Sequence, residues 1–576
     1  MEKTNHEKIS ILRNTKGITL IVLIITIIIL VILAAVSIRA VYNMKIVEMT
    51  VNGAQDYAVE AKREEDIFEK ITKLIRKKTN NAEENKICIE YVLNGGENPE
   101  GQVVEFNQGN DITLLYAIKE NAYFDGWYEN REFNSKRINS TGDIEDDITL
   151  YAKWIEETQT DYFTWSTTST SATITGFSEI GLAVYNGGNL TTLAIPRRYN
   201  NLIVTTIKEK AFSNMDNIFK LIIPDCITNI NTGTFDNCIN LKELTIPISI
   251  SASPSNYGHG AFIGCTNVEK VNFTKGSGQG VNYQTQSPYV NEYYNTPWYL
   301  SSQAGKEIMV TFENGIESIG DYMFCGCTGI KLSNLGSVNT LTKIGKYAFQ
   351  NCENMEISNL DSINLATTIG AFAFQNCKKI KGEINKSSGI INESSFENCI
   401  SITKVAINIE NFQVPKNMFK GCTGITNIEI GEKIKSLGVG SFDNCTSLKE
   451  LTIPISISAS PSNYGHGAFI GCTNVEKVNF TKGSGQGVNY QTQSPYVNEY
   501  YNTPWYISSQ AGKEIMVTFE NGIESIGNYM FHNCSGVKKI IYKNIEYTSI
   551  AALKTVFDAE GVTTYTNTFT NSGLNV

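Results

Sequence analysis

The sequence contains little histidine and no excess of positive charge, and each shortage excludes a class of function. Its 576 residues include 4 histidines, too few for a histidine-rich metal centre. Lys+Arg amounts to 48 and Asp+Glu to 58, a formal net charge of -10. A nucleic-acid binder is therefore not expected, because such proteins need a concentrated basic face against the phosphates. The 41% of hydrophobic residues excludes wholesale disorder.

Sequence patterns that carry catalysis are also missing. The chain has no GxSxG elbow, no GxxxxGK(S/T) loop, no HExxH pair and no zinc-spaced cluster. The glycine-rich run 276–280 has no predicted βαβ unit around it, so it does not predict a phosphate cradle. We predict no enzyme activity, no cofactor and no metal site. A surface enzyme with an unrecognised site is kept as a remote alternative.

One long hydrophobic run lies near the N-terminus. Residues 18–38 form an uncharged stretch of 21 residues, close to the roughly 20 that a helix needs to cross a bilayer. The run is longer than the apolar core of an ordinary secretory signal. Basic residues precede it, which by the positive-inside rule favours a cytoplasmic N-terminus. The sequence predicts a single-pass protein of the cell membrane with the bulk of the chain outside the cell.

The start of this run resembles a type IV prepilin. A short charged leader ends in Lys16-Gly17, and the aliphatic helix begins at once with Ile18. The resemblance implies cleavage between Gly17 and Ile18, methylation of the new N-terminus and a possible pilus-like assembly. The family's glutamate at the fifth mature position is replaced here by Val22, which departs from the pattern needed for filament assembly. A simple signal anchor is the alternative.

Residues 39–85 are predicted to form a helical stalk and a linker. Ile67, Ile71, Leu74 and Ile75 recur at helical spacing and make one apolar stripe on a charged helix. The polar stretch 79–85 marks the boundary with the next domain.

Residues 86–155 have the pattern of a small β module. Alternating apolar residues predict strands over 87–93 and 148–154, and Asn94-Gly95-Gly96 supplies a turn. The segments YVLNGGENP, FDGWYEN and ITLYAKW, in this order, resemble the internalin-type B repeat, or Listeria–Bacteroides repeat. The resemblance implies a β-grasp-like module that serves as a spacer or weak ligand binder. Trp127 and Trp154 are expected in its core, because a small domain needs large side chains.

The remainder, residues 156–576, is repetitive. A small or Met residue followed by Phe-x-x-Cys recurs ten times, mostly at spacings of 22 to 27 residues, inside the leucine-rich-repeat range of about 20–29. Short alternating strands end on proline, as in Leu244-Thr245-Ile246-Pro247. This rhythm resembles the BspA-like leucine-rich repeat of surface proteins. The resemblance implies a solenoid of parallel strands and a role in adhesion to host matrix proteins or in bacterial coaggregation.

The repeat gives the cysteines a physical role. Ten of the 13 cysteines lie three residues after a motif phenylalanine. Equivalent side chains of stacked coils lie about 4.8 Å apart and point the same way, whereas a disulfide needs converging Cβ atoms about 3.5–4.5 Å apart. We therefore predict a buried column of free thiols rather than a set of disulfides.

A long block of the repeat region is duplicated. Residues 241–324 reappear as 448–531, offset by 207, with only Leu300/Ile507 and Asp321/Asn528 differing. Each copy holds a 62-residue period with a polar, tyrosine-rich segment and one tryptophan, Trp298 or Trp505. The tryptophans are expected to pin the longer turn onto the solenoid. The tyrosines are candidate ligand contacts, because polar loops that carry rigid aromatics bind proteins well. They are Tyr283, Tyr289, Tyr293, Tyr294, Tyr490, Tyr496, Tyr500 and Tyr501.

Together these patterns predict a mixed fold: a membrane helix, a helical stalk, a β-grasp-like module and a leucine-rich-repeat solenoid. The predicted function is that of a membrane-anchored bacterial surface protein that binds extracellular protein or glycan, on host matrix or on other bacteria. A minor pilin-like or pseudopilin subunit that displays the repeats is the alternative.

Overall fold

The computed structural model describes residues 86–576 except 136, 249–250, 253–259, 275–295, 314, 333–334, 339, 456, 460–466, 483–502, 528 and 565–566. The predicted leader 1–17, membrane helix 18–38 and stalk 39–85 lie outside the described residues. Within the described part, no helix has both the length and the apolar character required to span a bilayer.

The small module is a mixed five-stranded sheet with strand order β2-β1-β5-β3-β4. Its strands are β1 Lys86–Val92, β2 Glu105–Asn107, β3 Ala122–Tyr128, β4 Arg137–Ile138 and β5 Ile148–Glu156, with a short 3-10 turn η1 at Thr141–Asp143. β5 runs parallel to β1 and antiparallel to β3. The predicted strands over 87–93 and 148–154 are confirmed as β1 and β5.

The two tryptophans of the module behave differently. Trp127 is 1% exposed, and its Nε1 donates to the Leu115 carbonyl at 2.9 Å. Trp154 is half-buried, donates to the Leu93 carbonyl at 2.8 Å and covers Gly96 so closely that a Cβ there would lie 2.2 Å from its ring. Trp127 is therefore a core residue as predicted, and Trp154 holds the glycine turn.

The solenoid begins after a 3-10 turn, η2, at Thr160–Tyr162. Its first strands are β6 Phe163–Thr167, β7 Ser171–Phe177, β8 Thr192–Ala194, β9 Arg198–Tyr199, β10 Leu202–Ile207, β11 Lys220–Ile222, β12 Asn229–Ile230, β13 Glu243–Pro247, β14 Ser251–Ala252, β15 Lys270–Thr274, β16 Ile308–Phe312, β17 Ser318–Ile319, β18 Ile330–Leu332, β19 Lys343–Ile344 and β20 Thr368–Ile369. Its later strands are β21 Gly382–Lys386, β22 Ile390–Ile391, β23 Ile402–Ile407, β24 Phe412–Val414, β25 Asn427–Ile430, β26 Ile434–Leu437, β27 Glu450–Pro454, β28 Ser458–Ala459, β29 Lys477–Thr481, β30 Ile515–Phe519, β31 Val537–Tyr542 and β32 Ile545–Tyr547. The helical elements are α1 Glu179–Asn186, α2 Pro297–Gln303, η3 Leu335–Ser337, α3 Asp361–Leu365, α4 Pro504–Gln510 and α5 Ile550–Ala559.

Successive coils contribute parallel strands to long sheets. One sheet has the order β18-β16-β15-β13-β11-β8, and a second has β21-β23-β25-β27-β29-β30-β31-β32. Shorter strands form further parallel ladders, β17-β19-β20-β22 and β24-β26-β28. In-register pairing of Leu193, Leu221 and Leu244 puts equivalent leucines in one buried row. The predicted parallel solenoid is confirmed.

The motif phenylalanines from Phe324 to Phe469 form a stacked column inside the solenoid. Phe324, Phe349, Phe374 and Phe396 are all 0% exposed, and neighbouring rings stack with centroids 5.2, 5.3 and 5.4 Å apart. Rings within this column therefore pack against the ring of the coil before and of the coil after, and they contribute to both interfaces of their coil.

The ten motif cysteines are buried, as predicted, and every cysteine of the described part is a free thiol. Most motif thiols also donate a hydrogen bond to the phenylalanine carbonyl of the preceding coil. The sequence did not indicate these bonds. The Sγ of Cys377 lies 3.0 Å from the Phe349 carbonyl oxygen, and that of Cys399 lies 3.1 Å from the carbonyl of Phe374. These carbonyls already accept from a backbone amide of their own coil, as Phe349 does from Cys352 at 3.1 Å. The thiol therefore adds a second donor, which comes from the next coil and gives the thiol itself a buried partner.

We expect the thiols to react in two groups. Burial raises the pKa of Cys399 well above its usual range and that of Cys325 to about 11, whereas Cys88 is exposed. Since the thiolate is the nucleophile, a maleimide at pH 7.5 should label Cys88 within minutes and the motif thiols only after denaturation. Mass spectrometry of tryptic peptides measures this. Rapid native labelling of the column would contradict the structure.

Candidate functional site

The β module packs against the solenoid through Tyr123 of β3. The ring contacts Ala194 and Ile222 in one buried cluster, and its hydroxyl donates to the Ile195 carbonyl. The Arg197 guanidinium lies over the ring, 4.2 Å from its centroid. Burial raises the pKa of the Tyr123 phenol well above its usual range, so the hydroxyl stays a donor. This tyrosine anchors the module on the first coils.

A chain of alternating charges surrounds that anchor. Asp125 accepts from Lys220 at 2.8 Å and from Lys153 at 3.2 Å, and its side chain is 12% exposed. Lys220 also reaches Glu243 at 3.2 Å. Because Asp125 is largely removed from water, its pairing with two lysines is more than a surface contact. The four groups fix the module's orientation on the sheet.

A cleft of about 950 Å³ opens between the module and the ends of the solenoid strands. The module contributes the segment from Tyr116 to Asp125, and the solenoid contributes the carboxyl ends of β11, β13 and β15. We call it the junction cleft. Its volume is in the range of ligand sites, roughly 300–1,000 Å³. Charged side chains of both signs line it: Lys119, Glu120, Arg197, Asp225 and Glu313.

Two polar atoms of the strand ends in this cleft have no hydrogen-bond partner among the residues that the structure describes. They are Asn272 Oδ1 and Thr274 Oγ1, both buried at the atomic level. Asn272 uses its Nδ2 to reach Thr245 Oγ1 at 3.3 Å, which leaves its carbonyl oxygen unused. Unsatisfied buried acceptors are costly, so a side-chain rotation that turns either atom toward a donor in the cleft would be favourable.

A comparison of the two copies of the duplicated block explains why the module packs beside the first copy and not beside the second. The register places Asn427 and Glu429 where the first sheet has Lys220 and Ile222. The second copy therefore lacks both the lysine for Asp125 and the apolar contact for the Tyr123 ring. Docking depends on the two coils that precede the duplicated block.

A second, smaller groove of about 460 Å³ lies at the strand ends of the other long sheet. It includes Thr452 and Thr481, the copies of Thr245 and Thr274. Its other main residues are Asn385, Lys386, Asn408 and Glu429. The duplication thus places the same threonine pair in two grooves, of which only the first is walled by the module.

Lys386 lines the second groove from a core position. It pairs in register with Ile407, which pairs with Ile430, and it is 1% exposed. Its Nζ donates to the carbonyls of Asn364 at 2.7 Å and Ala366 at 2.5 Å. These are terminal carbonyls of α3, which lack partners within the helix, so the lysine caps that helix from inside the solenoid.

We expect Lys386→Met to alter the pH dependence of stability. Burial lowers the pKa of Lys386 from 10.5 to about 8, so between pH 8 and 10.5 the unfolded chain holds a proton that the folded chain has released. Stability from this group therefore rises with pH across that window, by about 3 kcal/mol. Urea unfolding at pH 7.5 and 10 should show this rise in the wild type relative to Lys386→Met. The exposed Lys435→Met is the control, and an equal pH response in both variants would refute the assignment.

The predicted ligand tyrosines of the two long periods lie outside the described residues: Tyr283, Tyr289, Tyr293, Tyr294, Tyr490, Tyr496, Tyr500 and Tyr501. The candidate cleavage site, Gly17 and Ile18, also lies outside them. Ligand binding by these tyrosines and cleavage at Gly17 remain predictions.

The tryptophans that follow those tyrosines are described, and they are anchors as predicted. Trp298 is 1% exposed, and its Nε1 donates to the Met323 carbonyl at 2.8 Å. Trp505 makes the same bond to Met530 at 2.8 Å. Helix α2 starts at a Thr296 cap, whose hydroxyl accepts from the Tyr299 amide. Each long period is thus tied back to its coil immediately after the tyrosine-rich segment.

The junction cleft was not predicted from the sequence. Tyr123 lies just before the FDGWYEN segment and Asp125 lies within it, whereas their partners lie in the first coils, about 70 to 95 positions later. The available signal was a pair of apolar residues, Ala194 and Ile222, in a row that continues with the polar Thr245 and Asn272.

Family comparisons agree with this architecture. The BspA type leucine-rich repeat region matches residues 156–284, 306–383, 367–490 and 510–571, in six copies. The Listeria–Bacteroides repeat domain matches residues 88–153. No curated protein matches the chain in sequence.

Solved structures with similar folds are bacterial. A leucine-rich repeat protein from Bacteroides ovatus is 20% identical, with 56% of this chain and 94% of that chain covered and a TM-score of 0.26. A leucine-rich cell surface protein from Faecalibacterium prausnitzii is 18% identical, covering 61% and 98% with a TM-score of 0.23. The pneumococcal vaccine antigen PcpA is 10% identical, covering 73% and 98% with a TM-score of 0.28.

The fold and the repeat define a leucine-rich-repeat solenoid that carries a small β module at its N-terminal side. Because the repeat family matches more than half of its residues, the chain belongs to the BspA type leucine-rich repeat family.

Proposed function

We infer that the chain is a membrane-anchored bacterial surface protein that binds extracellular protein or glycan ligands, with adhesion as its role. The observation that carries this proposal is the junction cleft. Its two walls come from different modules, Tyr123 and Asp125 hold them together, and two acceptors without a partner among the described residues lie buried beneath its floor. Such preformed concave sites with a few polar groups are where proteins bind ligands. A binding role, rather than a catalytic one, fits the repeat family.

A matched pair of substitutions tests the cleft. Thr274→Arg would place a long cationic side chain in the junction cleft, and Thr481→Arg would place the same side chain in the second groove, within an identical local sequence. Purified full-length protein is applied to immobilised matrix proteins, a glycan array and bacterial cells. We expect Thr274→Arg to lower binding at least tenfold and Thr481→Arg to change it less than twofold. Equal losses would remove the cleft from the proposal, and no binding by the wild type would refute adhesion.

Membrane anchoring and the pilin-like alternative are separated by the N-terminal peptide of the protein extracted from native membranes. A mature chain that begins at Ile18 with a methylated amine would favour display on a pilus-like assembly. An intact leader would favour residues 18–38 as a permanent signal anchor. The uncharged run of that segment supports either form of attachment.

A further inference from the structure

Three successive coils place aromatic residues at a position that demands a left-handed backbone. Tyr322, Tyr347 and Phe372 have φ of 59, 57 and 59°. Other coils use Asn417 or Gly440 there, residues that adopt this conformation cheaply. Bulky side chains in it cost about 1–2 kcal/mol each. The fold itself does not require the rings, so their presence calls for another reason.

The three rings form a ridge on the surface of the solenoid. Tyr322 stacks on Tyr347 at 4.7 Å and Tyr347 on Phe372 at 4.8 Å, and all three are half-buried. In the next two coils the same position holds Ser394 and Asn417. The surface at these stacked positions is therefore raised by the rings at one end and lower at the other end, where the side chains are small.

A charge pattern runs beside the ridge, one residue earlier in each coil. Backbone bonds from residues 322, 347, 372 and 394 to the carbonyls of the next coil show that these positions stack. The five residues, in order along the solenoid, are Asp321, Lys346, Ala371, Glu393 and Lys416. Within the described part of the chain, Lys346, Glu393 and Lys416 form no ion pair. The sequence of charges is minus, plus, neutral, minus, plus.

This pattern is complementary to itself when reversed. A two-fold axis at Ala371 would set Lys346 against Glu393 of a second copy, and Asp321 against Lys416 of that copy. It would also set the Tyr347 ring over the second copy's Ser394. Both copies have the same coil spacing, about 4.8 Å, so the register holds along the whole face. Self-complementary surfaces of this kind define a two-fold interface.

A row of amides on the same coils continues the match. Gln350 Nε2 donates to Gln375 at 2.6 Å, and Gln375 Nε2 donates to the Glu397 carboxylate at 2.7 Å. The same axis would bring each Gln350 opposite the other copy's Glu397, a donor opposite an acceptor.

The duplication sets this face apart from its copy. Among the paired positions of residues 241–324 and 448–531, only two differ, and one of them is Asp321, which is Asn528 in the second block. The outermost negative charge of the pattern therefore belongs to the first block alone.

We propose that the solenoid pairs with a second copy of the same chain through this face, formed by residues 321–325, 346–350, 371–375, 393–397 and 416–420, in an antiparallel two-fold arrangement. The solenoid start of one copy then lies beside the later coils of the other. If the chain is anchored to a cell surface, which rests on the proposed function, this pairing joins copies that extend from two facing cells. The partner is then the same protein on a neighbouring cell.

Charge reversal tests the pairing. Full-length wild type, Lys346→Glu and Glu393→Lys are each coupled to red and green beads, and mixed clusters are counted. Wild-type beads should cluster, and each variant alone should cluster at least tenfold less, because both symmetry-related contacts become repulsive. Lys346→Glu beads mixed with Glu393→Lys beads should return to within twofold of wild type. Both variants stay net negative, at -12 and -8 against the wild-type -10, so bulk charge does not draw them together.

Lys404→Glu and Glu429→Lys are the matched controls, because they reverse a pair within one chain, 2.9 Å apart, away from this face. They should cluster like the wild type, singly and mixed. The proposal is overturned if wild-type beads do not cluster, if the single variants cluster normally, if the Lys346→Glu and Glu393→Lys mixture does not recover, or if the controls behave like those variants. Binding to matrix proteins and glycans is measured separately and should not change, so failure of the pairing is distinguishable from failure of the ligand-binding role.

Discussion

Replacing Phe374 by alanine should lower the free energy of unfolding by about 3–5 kcal/mol, the usual cost of deleting a fully buried ring. The ring is 0% exposed and stacks between Phe349 and Phe396, so its loss opens both interfaces of its coil. Because solenoid stability depends on contacts between neighbouring coils, the transition should also broaden. Urea unfolding followed by far-ultraviolet circular dichroism measures both effects.

The control for that substitution is Phe219→Ala. Phe219 is 41% exposed, so its removal should cost less than about 1 kcal/mol. If the two variants unfold alike, the phenylalanine column is not the main contact between coils.

Replacing Tyr123 by alanine should release the β module from the solenoid. The change removes the ring from Ala194 and Ile222 and the hydroxyl from the Ile195 carbonyl. We expect docking to weaken by about 3 kcal/mol, the scale of a large-to-small change at a buried site. The Thr158 amide, which donates to the Ala194 carbonyl at 2.8 Å, should then exchange its hydrogen roughly 100-fold faster.

Tyr91→Ala provides the comparison, because this half-buried tyrosine lies in β1 and packs against Trp127 within the module. It should leave exchange at Thr158 nearly unchanged. Unaltered exchange in Tyr123→Ala would show that the charge chain around Asp125 holds the module without the ring, and the cleft walls would then need another explanation.

Repetition explains how much of the fold could be predicted. The spacing of Phe-x-x-Cys and the proline at the end of Leu244-Thr245-Ile246-Pro247 recur often enough to give the period, the strand position and the burial of the cysteines. The burial of Trp298 could also be predicted, because an apolar ring beside a polar insertion gains free energy when it is removed from water.

Non-repetitive contacts could not be predicted in this way. The anchor Tyr123 sits in a segment rich in aromatics, and only docking shows which ring leaves the module's own core. The sequence pattern suggests that Lys386 is a solvent-facing residue of a strand. The strand register instead turns its side chain inward against α3. The left-handed backbone of Tyr347 is set by the shape of its turn. A tyrosine in the sequence does not indicate this conformation, because glycine and asparagine are the residues that favour it. Each of these depends on one contact rather than on a period.

The thiol column has a consequence for the size of the protein. Most of these cysteines take their acceptor from the coil before them, as Cys422 does from Phe396 at 3.0 Å. Such a coil carries both the donor for one neighbour and the acceptor for the next. Whole coils can then be added or removed without leaving an unpaired group at the joint. The repeat of residues 241–324 at an offset of 207 corresponds to about eight coils, on the order of 40 Å. The length of the solenoid is thus set by the number of coils, and it can change without altering the residues at either end.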